Sequence, residues 1–193
     1  MIISITHSNE LTRTLARARK FAGKDEDSLS SAWLEERGIC SIPEENMSHG
    51  GTEFAPALAR ACRVYPDSEW RSVEFADQEH FGEALILTDP GEDLDWHVTS
   101  SGEEASLGAL YGGRSFLLFS MQYPAAILYS ANEFKLVSGA SKFVRAYFAD
   151  DLHFALDAFE EYWRTDVPAV WGLGSAERAE RRYRKIYVQI RQE

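Results

Sequence analysis

Three apolar segments follow one another closely in the second half of the chain, and they restrict the fold more than any other feature. Strand-like runs occupy Ser115 to Met121, Ala125 to Ser130 and Glu133 to Val137. The connections, Tyr123-Pro124 and Ala131-Asn132, are too short for the crossovers that parallel strands need. The segments therefore predict an antiparallel meander. The first two are apolar on both faces, so we expect central strands covered on both sides, or by helices on one side and loops on the other.

Helical periodicity precedes and follows these strands. Leu11, Leu15, Ala18 and Ala22 recur at helical spacing, with Ser8 or Asn9 as the cap and Gly23 at the end. Further helices are predicted through Trp33 and Leu34, around 54–63, at 141–148, from a cap at Asp150 to Trp163, and at 175–190. The order of elements favours a single α+β domain over residues 1–193, with a mainly antiparallel sheet of about five strands and helices before and after it.

Two further segments complete this prediction. The stretch from Gly38 to Thr52 contains Pro43 and two adjacent glycines, which is typical of a loop. Ala84 to Thr88 is a short apolar run, Asp89-Pro90-Gly91 has the residue order of a tight turn, and Leu94 to Val98 alternates apolar and polar residues. We therefore expect an antiparallel hairpin between the last two runs.

Composition limits the classes of protein to consider. The chain has 193 residues, of which 45% are hydrophobic, which excludes global disorder. No apolar run approaches the roughly 18 to 20 residues of a membrane span, and no export signal is visible at the start, so a cytoplasmic protein is predicted. Cys40 and Cys62 lie outside any Cys-x-x-Cys or Cys/His cluster, so we expect no disulfide framework and no zinc site.

The strongest functional signal is a concentration of acidic residues. Residues 66 to 113 contain twelve Asp or Glu and a single base, Arg71, so this segment carries a charge of −11, equal to that of the whole chain. Aromatic residues are interspersed among the carboxylates. Such a segment attracts a cationic partner and repels nucleic acid, whose binding needs a basic surface. The basic residues between Glu177 and the C-terminus are expected to be solvated or paired within the fold.

Tests for catalytic and cofactor motifs favour none. His49-Gly50-Gly51 lacks the Gly-x-Ser-x-Gly elbow that accompanies an esterase oxyanion loop. The acids after Asp89 do not have the spacing of a calcium loop, and Gly112-Gly113 lacks the pattern that cradles phosphate. Asp150, Asp151 and His153 are typical of a helix start. We therefore predict no catalytic residue, no metal site and no cofactor.

The predicted function is non-catalytic binding of a basic protein partner through the acidic segment, without nucleic acid or membrane. Size and acidity are those of bacterial immunity proteins that inhibit cationic toxins, although no family motif is present. Trp70, which is flanked by Glu69 and Arg71, is predicted to be an exposed aromatic anchor, whereas Trp96 is expected in the core. The partner-binding residues predicted from the sequence are Glu69, Trp70, Glu74, Asp77, Glu79, Glu83, Asp89, Glu92, Asp93 and Asp95.

Two other classes of function stay open at this point. One is a small enzyme whose site is assembled from dispersed residues, with His49, His97 and His153 as candidates beside Asp or Glu side chains. The other is a homo-oligomeric assembly or interaction subunit that uses its aromatic surface. The solvated-surface interpretation of the acidic segment, in which surplus charge serves solubility alone, also competes with partner binding.

Overall fold

The computed structural model describes residues 2–26, 28–45, 54–88, 97–98, 104–105, 111–112, 114–130, 134–155, 157 and 161. In chain order the elements are β1 (Ile2–Ser4), α1 (Ser8–Phe21), α2 (Ser31–Leu34), β2 (Ile39–Glu45), α3 (Phe54–Cys62), β3 (Trp70–Phe75), β4 (Phe81–Leu87), β5 (His97–Val98), β6 (Glu104–Ala105), β7 (Phe116–Ser120), β8 (Ala125–Tyr129), β9 (Phe134–Ala140) and α4 (Ser141–Tyr147). None of the helices in this part of the chain has the length and apolar character of a membrane span.

Seven of the strands form one antiparallel sheet in the order β1-β4-β3-β7-β8-β9-β2, and β5 pairs with β6 separately. The α+β class is confirmed, although the sheet has more strands than the expected five. The meander of β7, β8 and β9 is confirmed as well. Its first two strands lie at the centre of the sheet, and every residue of β7 is buried, because helices cover both faces.

Side-chain alternation divides the core into two layers. On the first face of the sheet, Trp70, Leu118, Ile127 and Val137 pack with α3 and α4. On the second face, residues of the same strands that point the opposite way pack with α1 and α2; they include Val73, Leu117, Phe119, Leu128 and Leu136. The sheet is thus the middle of three layers, which explains why its central strands need apolar residues at consecutive positions.

Within the segment predicted to be a loop after Gly38, residues Ile39–Glu45 instead form the edge strand β2. It pairs with β9 along its whole length, from Ile39 opposite Ala140 to Glu45 opposite Phe134. Pro43 suggested a loop because proline has no N–H to donate to a neighbouring strand. Proline is nevertheless tolerated in edge strands, and β2 lies at the edge of the sheet. The sequence pattern of a loop and that of a proline-containing edge strand are similar.

The hairpin predicted between 84–88 and 94–98 is also wrong in its pairing. Over Leu85, Ile86 and Leu87, β4 is bonded to β1 on one side and to β3 on the other. Both edges are therefore occupied, and no third strand has a place there. His97 and Val98 pair with Ala105 and Glu104 instead. The predicted turn at 89–91 and Trp96 lie outside the described residues.

The helix ends follow local hydrogen bonding. Ser30 caps α2 by accepting the backbone N–H of Trp33. Residues 152–155 resume helical structure after α4, but the cap is Asp151 rather than Asp150, since Asp151 Oδ1 accepts the N–H of Phe154 at 3.1 Å. Asp150 adopts a positive φ of 66°. The predicted helix at 175–190 lies outside the described residues.

Candidate functional site

The β3–β4 connection brings together four of the acidic residues selected from the sequence. Glu74 and Glu83 lie on adjacent strands beside the turn, and Asp77 and Glu79 lie within it. The side chains of Glu79 and Glu83 are exposed, and those of Glu74 and Asp77 are half-buried. We call these four residues the acidic hairpin end. The fold thus places part of the acidic segment on one local surface.

Asp77 holds the turn closed. Its Oδ1 accepts the backbone N–H groups of Glu79 and His80 at 2.8 and 2.9 Å, and His80 Nδ1 lies 2.9 Å from both carboxylate oxygens. The Ala76 N–H donates across the turn to the His80 carbonyl. The pKa of Asp77 is lowered, chiefly by the Glu79 N–H and next by the His80 ring. The carboxylate therefore stays charged while it organises the backbone.

Contacts with α1 fix the hairpin end from the second face. Gln78 Nε2 donates to the Ala22 carbonyl at 2.8 Å, directly after the last residue of α1. The guanidinium of Arg19 lies 5.6 Å from the centroid of the Phe81 ring. The turn that carries Glu79 is consequently attached on both sides of its tip. An ordered turn loses less conformational entropy when a partner binds it.

The two carboxylates on the strands have different surroundings. Arg114 Nη1 donates to Glu74 Oε1, although the arginine side chain is 61% exposed. Glu83 Oε1 accepts a hydrogen bond from Ser4 Oγ at 3.0 Å. A Cβ at Gly82 would overlap Glu74 Oε2, so the glycine leaves the room that this carboxylate occupies. Among the described residues, Arg114 is the one arginine or lysine that forms a salt bridge with these four acids, so the acidic hairpin end keeps a negative surplus.

Glu69 does not join this surface, because it lies at the opposite end of β3. There Arg71 Nη2 contacts Glu69 Oε2 at 2.9 Å and Glu10 Oε1 of α1 at 2.8 Å. The Arg71 side chain is only 7% exposed, and its Nη1 also donates to the Trp70 carbonyl. The single base of the acidic segment is therefore used to attach α1 to the sheet.

The prediction that Trp70 is an exposed anchor is wrong. Trp70 is only 2% exposed and lies on the first face of the sheet. Its ring stacks against Phe143 of α4, with centroids 5.8 Å apart. Flanking charges suggested exposure, but Glu69 and Arg71 point away from it, because adjacent residues of a strand alternate between faces.

The remaining predicted partner-binding residues, Asp89, Glu92, Asp93 and Asp95, lie outside the described residues. The same is true of His49 and of the His97 side chain. His153 is exposed in the short helical segment after α4. Within the described ranges, no three His, Cys, Asp or Glu side chains are grouped so that they could hold a metal ion.

A second polar cluster, which the sequence analysis did not find, lies on the first face near β2. Glu44 Oε2 is 3.0 Å from Lys135 Nζ and accepts the Tyr147 hydroxyl at 2.8 Å. The Lys135 side chain is 7% exposed, and Tyr147 is buried. The three residues come from β2, β9 and α4. The register of β2 with β9 and the packing of α4 bring them together, so no sequence motif could have indicated the cluster.

The chemistry of this cluster favours a structural role. Burial, followed by the charge of Glu44, raises the pKa of Tyr147 well above its ordinary value, so its phenol stays protonated and donates to the carboxylate. On the same face, Tyr111 contacts Ser72, and burial likewise raises the pKa of its phenol. Neither tyrosine provides a phenolate at neutral pH. The Lys135–Glu44 pair is internally balanced and links the edge strand to its neighbour.

Comparisons of the chain with protein-family models, curated proteins and solved structures found no match. The acidic hairpin end and the cluster around Glu44 are therefore judged on their geometry. Of the two, only the acidic hairpin end presents charged side chains at the surface without an internal cation for each of them.

Proposed function

We propose that this protein is a non-catalytic binding protein that engages a basic protein partner through the acidic hairpin end. The observation that carries the proposal is the state of Glu79 and Glu83. Both carboxylates are exposed on an anchored hairpin, and neither forms an ion pair with a described residue. A fixed, uncompensated pair of charges favours recognition more than a mobile charged loop does.

The charge of the whole chain supports the same partner class. At −11, it attracts cationic proteins over distances of about one Debye length, roughly 8 Å at physiological salt. Opposed potentials raise association rates, and a few carboxylates at the contact set the dissociation rate. A polyanion such as nucleic acid is repelled by the same field. The partner class is therefore basic protein.

Within that class, we propose a cationic toxin as the partner, with this chain as the inhibitor that occupies its active site. Toxins that act on nucleic acids bind phosphates with basic residues, and a carboxylate surface can occupy such a site. This chain then needs no catalytic group of its own. Cytoplasmic location stays a prediction.

Affinity capture with a charge-matched control tests the proposal. The protein is immobilised and exposed to extract of its native organism at low and at moderate salt, and eluted proteins are identified by mass spectrometry. The variant Glu79→Lys/Glu83→Lys removes the proposed contact. The variant Glu35→Lys/Asp67→Lys makes the same change in net charge at two exposed positions away from the turn, since Glu35 precedes the edge strand β2 and Asp67 precedes the Trp70 end of β3. A third variant reverses Glu92, Asp93 and Asp95.

A basic protein that is retained by the wild type and by the Glu35/Asp67 variant, but lost by the Glu79/Glu83 variant, supports the proposal. Its dissociation constant is then measured with purified components, and we expect a loss of at least tenfold for the double reversal. Equal loss in both double variants would mean that net charge alone matters. Loss only in the Glu92, Asp93 and Asp95 variant would place the contact elsewhere in the acidic segment. Self-association in sedimentation, without another partner, would favour the assembly alternative.

A further inference from the structure

His80 is a titratable group built into the acidic hairpin end that the binding proposal does not use. Its ring nitrogen Nδ1 lies 2.9 Å from both oxygens of Asp77, and its backbone N–H donates to the same carboxylate. The side chain is 73% exposed, so protons reach it directly. Histidine is the side chain whose charge ordinarily changes between pH 5 and 8.

The charged groups around the imidazole are mainly acidic. Asp77 and Glu79 belong to its own turn, and Glu83 follows on β4. From α1, the one described base in contact with this hairpin is Arg19, which lies over the ring of Phe81. Among the described residues, Arg114 and Arg19 are the arginines in contact with this hairpin, against four carboxylates, so one additional positive charge on His80 removes a large part of the negative surplus.

We propose that protonation of His80 weakens binding of the basic partner, so that the acidic hairpin end releases its partner as pH falls from 7.5 to 5.5. The inference rests on the proposed function. The imidazolium pairs with Asp77, which neutralises that carboxylate, and it adds a charge that repels the cationic partner beside Glu79. The response is assigned to the histidine because the charge of an imidazole ordinarily changes in this pH range, whereas Asp and Glu side chains ordinarily change theirs at lower pH.

The test measures binding at two pH values with a defined probe. A fluorescein-labelled octa-arginine peptide is titrated with the full-length chain at pH 7.5 and 5.5 at constant ionic strength, and the ratio of the two dissociation constants is the readout. His80→Gln keeps a hydrogen-bonding side chain but cannot be protonated. His7→Gln is the matched control, because His7 is exposed and caps the N-terminal end of α1, whereas the turn contacts Ala22 at the C-terminal end.

We expect the wild type and His7→Gln to bind the peptide about threefold more weakly at pH 5.5 than at pH 7.5. This is the size of the effect that one added positive charge has in water when it lies a few ångströms from a bound cation. His80→Gln should have nearly the same affinity at both pH values. An identical ratio in all three proteins would overturn the inference and leave the proposed function intact.

Two further outcomes separate the inference from the proposal on which it rests. If Glu79→Lys/Glu83→Lys binds the peptide as tightly as the wild type at pH 7.5, the proposed function fails, and the pH response fails with it. A nuclear magnetic resonance titration of the His80 ring, in the absence of any probe, gives an independent check. A ring that shows no change of protonation between pH 5.5 and 7.5 would overturn the inference whatever the binding data show.

Discussion

The two ends of β3 carry carboxylates that are close in sequence but serve different purposes. At the Glu69 end, Glu69 and Glu10 converge on the buried Arg71. At the other end, Glu79 and Glu83 are exposed without an ion pair to a described residue, and the base that pairs with Glu74 is itself mostly exposed. The same residue type thus stabilises the fold at one end and is available to a partner at the other.

The difference follows from desolvation. A guanidinium removed from water needs carboxylates with good geometry, since an uncompensated buried charge is costly. The pairing of Arg71 is incomplete, because its Nε has no hydrogen-bond partner within the described part of the chain. The buried hydroxyl of Thr14 on α1 has no partner there either. At the hairpin end, water screens each charge, so unpaired carboxylates cost little. Local charge density alone does not distinguish structural from functional acids.

The largest effect is expected at Trp70, which the charge pattern placed at the surface. Trp70→Ala should lower the free energy of unfolding by about 3–5 kcal/mol, because it removes a fully enclosed indole from the first face. Urea unfolding followed by circular dichroism measures the loss. Glu79→Ala, at the other end of the hairpin, should change stability by less than about 0.5 kcal/mol. Similar stability in the two variants would contradict the division between the ends of β3.

An intermediate effect is expected when each end loses one carboxylate. Glu10→Gln leaves Arg71 with Glu69 alone and should cost about 1–2 kcal/mol, a value reduced by the partial exposure of Glu10. Glu74→Gln breaks the contact with the exposed Arg114 and should cost less than about 1 kcal/mol. Both are measured by urea unfolding at low and high salt.

The salt dependence sharpens this second prediction. The cost of Glu10→Gln should persist at high salt, since buried pairs are weakly screened, whereas that of Glu74→Gln should shrink. A double variant of Glu10 and Glu69 should lose more than the sum of the single variants, because Arg71 is then left without a carboxylate. Equal, salt-sensitive costs at both ends would mean that Arg71 is solvated.

The sequence indicated the elements of the fold better than their partners. Apolar runs joined by short turns predicted β7, β8 and β9, since connections of this length allow only antiparallel pairing. In contrast, β3 lies between β4 and β7, but its sequence does not look like that of an inner strand. Trp70, Ser72 and Glu74 lie on one face and Arg71 and Val73 on the other, so both faces mix polar and apolar residues. Local pattern does not reveal which strands become neighbours.

Site residues were predictable only where sequence neighbours stay neighbours in space. The turn that carries Asp77 and Glu79 is local, so the acidic hairpin end is close to what the sequence suggested. The contacts of Arg71 with Glu10 and of Lys135 with Glu44 join residues that are far apart along the chain. They depend on how α1 and β2 dock, which single-sequence patterns do not contain.

The smallest effect concerns the pH response of the turn itself. The pKa of Asp77 is lowered in the folded protein, so its contribution to stability is present above the unfolded value of about 3.9 and is lost as pH falls through the folded value. Asp77→Asn should therefore be slightly less stable than the wild type at pH 7 and lose less stability on acidification below pH 4. Urea midpoints at pH 7, 5, 4 and 3 measure the difference.

Amide resonances localise this effect within the turn. In the wild type, the N–H groups of Glu79 and His80 donate to Asp77, so their chemical shifts should move together as its carboxylate is protonated. The Ala76 N–H donates to the His80 carbonyl instead and should move less. In Asp77→Asn the first two shifts should be constant below pH 4. If they titrate as in the wild type, another carboxylate controls the turn, and the hairpin end is less independent of its surroundings than its contacts indicate.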